Sequence, residues 1–228
     1  MNALLNSSIP KRIFIEGPAG KLETVLAEPD IGPLRGIAVI AHPHPLYGGT
    51  MDNKVVYTLF KALRELGFIT VKFNFRGVGQ SEGDRYSGND NGAGEIEDVI
   101  AVVETIRRRF AARFDMIPPL LLAGFSFGGA IQAHATRQLR PQTLIMVAPP
   151  VERLGVPSIV NPVTESGIEN NPRILIIHGD KDDVVPLKTV LDWAAPQDLP
   201  VVVIPGAEHF FHGRLHILKR VVLDSCRS

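Results

Sequence analysis

The sequence predicts an α/β fold, a mostly parallel central sheet of about eight strands with helices on both faces. Three observations lead there. Short continuous apolar runs such as Gly36–Ala41 (GIAVIA) read as strands covered on both sides. Between them lie segments of helical periodicity, such as Lys54–Leu66, with Val55, Leu59, Leu63 and Leu66 on one side. The two patterns alternate at the spacing that helical crossovers between parallel strands require.

In chain order, Arg12–Glu16 and Leu22–Glu28 read as antiparallel strands joined by the turn Gly17-Pro18-Ala19-Gly20. Gly36–Ala41 is the third strand, and the helix Lys54–Leu66 stops before Gly67. Phe68–Phe75 is a strand of partly alternating pattern, followed by a polar, glycine-rich loop from Gly77 to about Gly94. Glu95–Phe110 carries Ile96, Val99, Val103, Ile106 and Phe110 along one side of a helix. Leu120–Phe125 reads as a strand and Phe127–Leu139 as a helix. Thr143–Ala148, Arg173–His178 and Val201–Ile204 are further strands, with helices near Leu187–Ala194 and Arg214–Leu223. No repeat, low-complexity tract or linker interrupts the pattern, so residues 1–228 read as a single domain.

A folded chain of this length buries roughly 70–75% of its unfolded surface, so no disulfide or metal is needed to hold it. The 24 Lys and Arg residues balance 24 Asp and Glu, a net charge of zero that gives no footprint for nucleic acid or an anionic membrane. The local basic run Arg107-Arg108-Arg109 with Arg113 sits where cations complement a helix C-terminus, and reads as a solvated face. The lone thiol, Cys226, cannot form an internal bridge, which fits a reducing compartment. The opening MNALLNSSIPKR lacks the pattern of a signal peptide, and no apolar run approaches the ~18–20 residues that span a bilayer. The expected location is the cytoplasm.

Ligands of such sheets sit beyond the carboxyl ends of the strands, and the chemically suggestive residues fall there. The pattern G-x-S-x-G occurs twice, so its context must decide. A nucleophile elbow needs strand, sharp turn and helix in immediate succession. Gly79-Gln80-Ser81-Glu82-Gly83 leads into DRYSGNDNG, which cannot be a helix. Gly124-Phe125-Ser126-Phe127-Gly128 follows an apolar strand and opens the helical segment GAIQAHATRQL. Ser126 is therefore the expected nucleophile. A serine hydroxyl needs a base to take its proton and a third group to orient that base. On such an elbow the partners follow in the order serine, acid, histidine. The loop after Arg173–His178 holds Asp180, Asp182 and Asp183, and the loop after Val201–Ile204 holds His209 and His212.

Five segments together, His42-Pro43-His44-Pro45-Leu46-Tyr47-Gly48-Gly49, Asn74–Gly83, the elbow, the G-D-x-D-x-V-V-P loop and G-A-x-H-F-F-H-G, resemble the small cap-less bacterial α/β-hydrolases. These are kin to the dienelactone-hydrolase and serine-esterase branch; dienelactone hydrolases themselves carry cysteine where this chain has Ser126. The resemblance covers almost the whole chain and implies the α/β-hydrolase fold. It implies Asp182, three residues after the glycine, as the acid, with Asp183 the nearer substitute, and His209, before Phe-Phe, as the base.

The oxyanion hole of this fold takes one backbone N–H from the residue after the nucleophile, Phe127, and one from the loop after the third strand. Pro43 and Pro45 have no N–H, which leaves His44 first and Leu46 next. Leu46, Tyr47, Phe125 and Phe127 are read as pocket walls, each equally open to a core role. His42-x-His44 and His209-x-x-His212 invite a metal reading, but no H-E-x-x-H or cysteine pair supports it. No phosphate loop G-x-x-x-x-G-K-[ST] occurs, and Asn74-Phe75-Arg76-Gly77 reads as a turn lining one wall of the site. No cofactor is expected. About two dozen residues, rich in proline, separate Ala148 from Arg173, too few for a cap domain. The expected function is hydrolysis of an ester or related acyl bond of a small-molecule substrate, through an acyl-enzyme on Ser126. An acyltransferase or peptidase with the same three residues is an alternative, as is a non-catalytic binding protein of this fold.

Overall fold

The sheet has eight strands in the order β1-β2-β4-β3-β5-β6-β7-β8, in a computed structural model that describes residues 9–29, 32–85, 92–160 and 171–227. Strands β1 (Lys11–Gly17) and β2 (Gly20–Ala27) form a hairpin, and β2 pairs antiparallel with β4 (Phe68–Phe73). The remaining strands, β3 (Gly36–Ala41), β5 (Leu120–Phe125), β6 (Thr143–Val147), β7 (Arg173–Gly179) and β8 (Val201–Ile204), run parallel with β4. The middle of the loop expected from Gly77 to Gly94, and part of the link between Ala148 and Arg173, lie outside the described residues.

Every residue of β3, β4 and β5 is buried, as apolar runs enclosed by helices on both sides should be. Helices α1 (Lys54–Glu65) and α5 (Leu215–Cys226) pack on one face, where Val55, Leu59, Leu63 and Leu218 join Ile40, Phe125 and Ile177. Helices α2 (Ala93–Phe110), α3 (Phe127–Leu139) and α4 (Leu187–Ala194) cover the other, where Val99, Ile106, Ile131 and Val190 meet Val39, Val71 and Leu122. Burying each such side chain contributes about 1.5–3 kcal/mol, so the two apolar layers dominate the fold's stability. No described helix is long and apolar enough to cross a membrane.

The connection after β3 goes through α1 on one face to β4, and the chain returns through α2 on the other face to β5. Successive crossovers on opposite faces leave a crevice beyond the carboxyl ends of β3 and β5. That crevice sets the place of the site.

Strand β4 ends at Phe73, two residues short of the expected boundary: Asn74 N–H still donates to Glu23 O (2.9 Å), but Phe75 N–H goes to the His42 side chain (3.1 Å), and the Asn74 side chain turns to the neighbouring segments. It accepts from Met51 N–H (2.8 Å) and donates to Glu23 Oε2 (2.7 Å). The basic run is solvated at Arg108 and Arg109, whereas Arg107 reaches across to the Leu139 carbonyl at the end of α3 (3.3 Å).

Candidate active site

Ser126 stands between β5 and α3 with φ 52° and ψ −123°. A non-glycine residue there costs about 1–3 kcal/mol, which the surroundings must offset. They do so with backbone bonds: Ser126 N–H donates to Val147 O (2.8 Å), and Ser126 O accepts from Gly129 N–H (2.9 Å). The two glycines of the motif are steric necessities. A Cβ on Gly124 would collide with the backbone of Gly128, and one on Gly128 would lie 2.5 Å from the Ala41 and His42 carbonyl oxygens. The sequence G-F-S-F-G thus lets β5, α3 and the end of β3 touch backbone to backbone, with the hydroxyl held at the crevice.

Ser81, in the second copy of the motif, does something else. Its hydroxyl donates to Asn74 O (2.7 Å) and accepts from Glu23 N–H (2.9 Å), fastening the Gly77–Gly83 turn to β2. The segment Asn74-Phe75-Arg76-Gly77 that leads into this turn does not line the cavity, contrary to the sequence expectation. Arg76 is drawn away to α2, where its guanidinium and backbone N–H bond the buried Asp98 at 2.8–3.1 Å.

Three side chains from three loops meet. Ser126 Oγ donates to His209 Nε2 (3.1 Å), and His209 Nδ1–H donates to Asp182 Oδ2 (2.7 Å). Asp182 and His209 are almost wholly enclosed. The other Asp182 oxygen accepts from Val184 and Val185 N–H (3.0 and 2.8 Å), so the carboxylate cannot rotate freely. Burial alone would raise the Asp182 carboxyl, but the hydrogen bonds from His209 and Val185 and the two adjacent imidazoles outweigh it and hold its pKa below the ordinary value.

The neighbouring candidates separate from this chain. Asp180 accepts from Gly206 N–H (2.5 Å), and Lys181 N–H donates to Ala207 O (3.0 Å), so these bonds join the acid and histidine loops. Asp183 is exposed, and His212 is exposed and paired with Glu208. Sequence reasoning missed His178. It is fully buried, donates from Nε2 to Val185 O (2.9 Å), and lies 3.4 Å from Asp182 Oδ2. Burial, only partly opposed by that carbonyl and by Asp182, lowers its pKa. Its signal in the sequence is a histidine ending an apolar strand just before the acid loop.

The site opens into a cavity of about 640 Å³, whose lining includes Ser126, His209, Phe127 and the His42–Gly49 loop. Leu46 and Tyr47 lie on its wall, 50% and 81% exposed. Phe125 does not. As a residue of β5 it points to the opposite face from its neighbours, is fully buried, and packs its ring 5.0 Å from that of His209. Segments not singled out in the sequence supply Asn53, Pro150, Arg153 and Leu154, and the acid and histidine loops add Val184 and Phe210. The two backbone segments expected to supply the oxyanion donors lie side by side, the His44 and Phe127 rings 5.0 Å apart. The N–H of Leu46, the second choice, already donates to His44 Nδ1 (3.2 Å). His42 is buried behind this loop, its Nδ1–H donating to Pro43 O (2.6 Å) and its Nε2 accepting from Phe75 N–H (3.1 Å). Both of its nitrogens serve the backbone. Among the described residues, no cap stands over the cavity; residues 149–156 form a tight turn at its edge.

An eight-stranded, mostly parallel sheet with a serine on a strained strand-to-helix turn, backed by histidine and aspartate, defines an α/β serine hydrolase. The chain belongs to the Hydrolase_4 family, described as serine aminopeptidase, S33, whose model matches residues 35–167. It is similar to an α/β serine hydrolase homologue from Coxiella burnetii, 40% identical, covering 94% of this chain and 96% of that one with a TM-score of 0.80. A Xanthomonas campestris protein described as an α/β serine hydrolase without a lid is 34% identical over 99% of this chain and 97% of its own, with a TM-score of 0.81. An uncharacterized protein of Rickettsia prowazekii is 31% identical over 93% of this chain and 87% of its own length.

Proposed function

We propose that this protein hydrolyses an ester, or a related acyl bond, of a small-molecule substrate through an acyl-enzyme on Ser126. The observation that carries the reading is the single imidazole of His209, which accepts from Ser126 on one side and donates to Asp182 on the other. In that arrangement Nε2 holds the lone pair a general base needs, and Asp182 fixes the tautomer.

As Ser126 Oγ attacks the acyl carbonyl, His209 Nε2 takes its proton and the carbonyl electron pair moves onto oxygen. The N–H groups of Phe127 and of the His44 segment receive that oxyanion; losing one such donor costs roughly 3–4 kcal/mol. Collapse breaks the bond to the leaving group, which departs with the proton from His209. Water, deprotonated by the same nitrogen, then attacks the acyl-enzyme and frees the acid and Ser126.

The family description raises an aminopeptidase as the second reading. Such an enzyme must receive a free α-ammonium group, which calls for a carboxylate in the cavity. Among the described residues none lines it, and Arg153 places a positive charge there. Ester cleavage fits this lining better. A reducing, cytoplasmic setting accords with Cys226 being the chain's one thiol.

The test is a panel of 4-nitrophenyl esters, thioesters, lactones and aminoacyl anilides compared by kcat/KM. The proposal expects esters to exceed aminoacyl anilides by at least about a hundredfold. Faster turnover of anilides bearing a free α-amine would favour the peptidase.

A further inference from the structure

Apart from the reacting groups, the cavity wall is mainly apolar, with Leu46, Tyr47, Phe127, Leu154, Val184 and Phe210 contributing, and Arg153 is its one Lys, Arg, Asp or Glu side chain among the described residues. Arg153 makes no hydrogen bond or ion pair within the described residues. Its neighbour Glu152 forms no ion pair with it, although both line a smaller adjoining cleft of about 70 Å³ that shares Pro150, Val184 and Val185 with the cavity wall. Arg153 is itself exposed, so water satisfies its guanidinium until a ligand takes the place of that water. At the edge of an apolar cavity it can give a bound carboxylate two parallel charge-assisted hydrogen bonds, and the ligand's own apolar body then reduces the screening between the charges.

The base of this side chain is well fixed. Leu154 N–H donates to Pro150 O (3.2 Å), Gly155 N–H to Glu152 O (3.1 Å) and Val156 N–H to Val151 O (2.9 Å), closing the turn that carries Arg153. His134 Nε2 donates to Leu154 O (2.9 Å) and Trp193 Nε1 to Val156 O (2.9 Å), tying the turn to α3 and α4. The positive field of Arg153 also reaches the His42–Gly49 segment: after burial, it is the second cause lowering the pKa of His44. The guanidinium therefore acts on the part of the cavity next to the proposed oxyanion donors.

We propose that Arg153 selects the substrate: the cavity takes an ester that carries a carboxylate a few bonds from the scissile carbonyl, held by the guanidinium while that carbonyl faces Ser126. This deepens the hydrolase reading and rests on it. A charge-assisted pair of this kind is worth roughly a tenfold to hundredfold preference.

Two arms place the carboxylate. On the acyl side, 4-nitrophenyl hemiglutarate is compared with 4-nitrophenyl butyrate; on the leaving-group side, 4-acetoxybenzoate is compared with phenyl acetate. The readout is the charged-to-neutral ratio of kcat/KM in the wild type, Arg153→Gln and Arg153→Lys. The proposal expects that ratio to fall at least about tenfold in Arg153→Gln on one arm, and to be largely kept in Arg153→Lys. A ratio unchanged within about twofold on both arms overturns it, even when the absolute rates drop, because loosening of the turn would slow charged and neutral esters alike.

Should the wild type hydrolyse none of these esters, the hydrolase reading fails separately. Recognition is then read by calorimetry on Ser126→Ala, with monomethyl glutarate against methyl butyrate and with Arg153 intact or replaced by Gln. An Arg153-dependent preference for the anion sustains the site, and equal binding overturns it.

Discussion

His42 should make the protein acid-sensitive well above the range where its carboxylates titrate. The ring is fully buried, and its Nε2 must stay unprotonated to accept from Phe75 N–H. Burial, opposed by the Pro43 carbonyl and aided by the charge of Arg85 and by His44, lowers its pKa from 6.5 to about 4. The unfolded chain therefore binds a proton at a pH where the native state refuses one. The contribution is complete above about pH 6.5 and is lost as pH falls from there to about pH 4. With those two values, the loss is about 2 kcal/mol at pH 5 and about 3 kcal/mol at pH 4. Urea unfolding at about pH 7.5 and about pH 5, for the wild type and His42→Asn, isolates this share from that of His178, whose pKa is lowered too. The wild type should lose about 2 kcal/mol more than the variant between the two conditions. Equal losses would refute the reasoning, for they would mean that His42 is not kept neutral by its burial.

Asp182→Asn should reduce kcat by about a thousandfold to ten-thousandfold, because the amide no longer fixes the His209 tautomer, while Asp183→Asn stays within about twofold; ester hydrolysis under saturation compares them. Ser81→Ala should keep its activity but lose about 1–3 kcal/mol in denaturant titration, since the Glu23 N–H and Asn74 carbonyl lose a shared partner. Gly128→Ala should fail to accumulate as folded protein or lose most of its activity, because its methyl would fall on the Ala41 and His42 carbonyls; circular dichroism and ester turnover together distinguish the two.

Much of this architecture is written in local patterns. Gly36–Ala41, Leu120–Phe125, Phe127–Leu139, Leu187–Ala194 and Val201–Ile204 have the same bounds in the sequence reading and in the structure, because uninterrupted apolar runs and strong helical periodicity leave little choice. Boundaries moved where a polar side chain or a glycine intervened. Strand β4 stops before Phe75, whose N–H goes to the His42 ring, and Gly92, at φ 80°, starts α2 two residues before the expected Glu95. Helix α5 runs on to the buried Cys226, three residues past the expected end, an extension that depends on its packing.

The elbow was legible because a strand, a small-x-Ser-x-small turn and a helix must follow one another directly. The meeting of Asp182 and His209 with Ser126 came from loop order and from family resemblance, since no spacing in the chain encodes a contact between residues 83 apart. Arg153 was invisible for the same reason: it looks ordinary in its own loop, and only the sheet brings that loop to the cavity, whereas Val184 and Phe210 sat in the acid and histidine loops without being read as wall residues. Phe125 misled because strand alternation, which sends it beneath His209, was not applied to a run buried on both faces.

The account turns on Ser126 as an activated nucleophile, and reaction with a fluorophosphonate probe followed by peptide mass mapping tests that most directly. It predicts one phosphonyl group, on the peptide carrying Ser126, with labelling abolished in Ser126→Ala and strongly slowed in His209→Ala. Labelling at another serine, or none on the folded wild type, would contradict it.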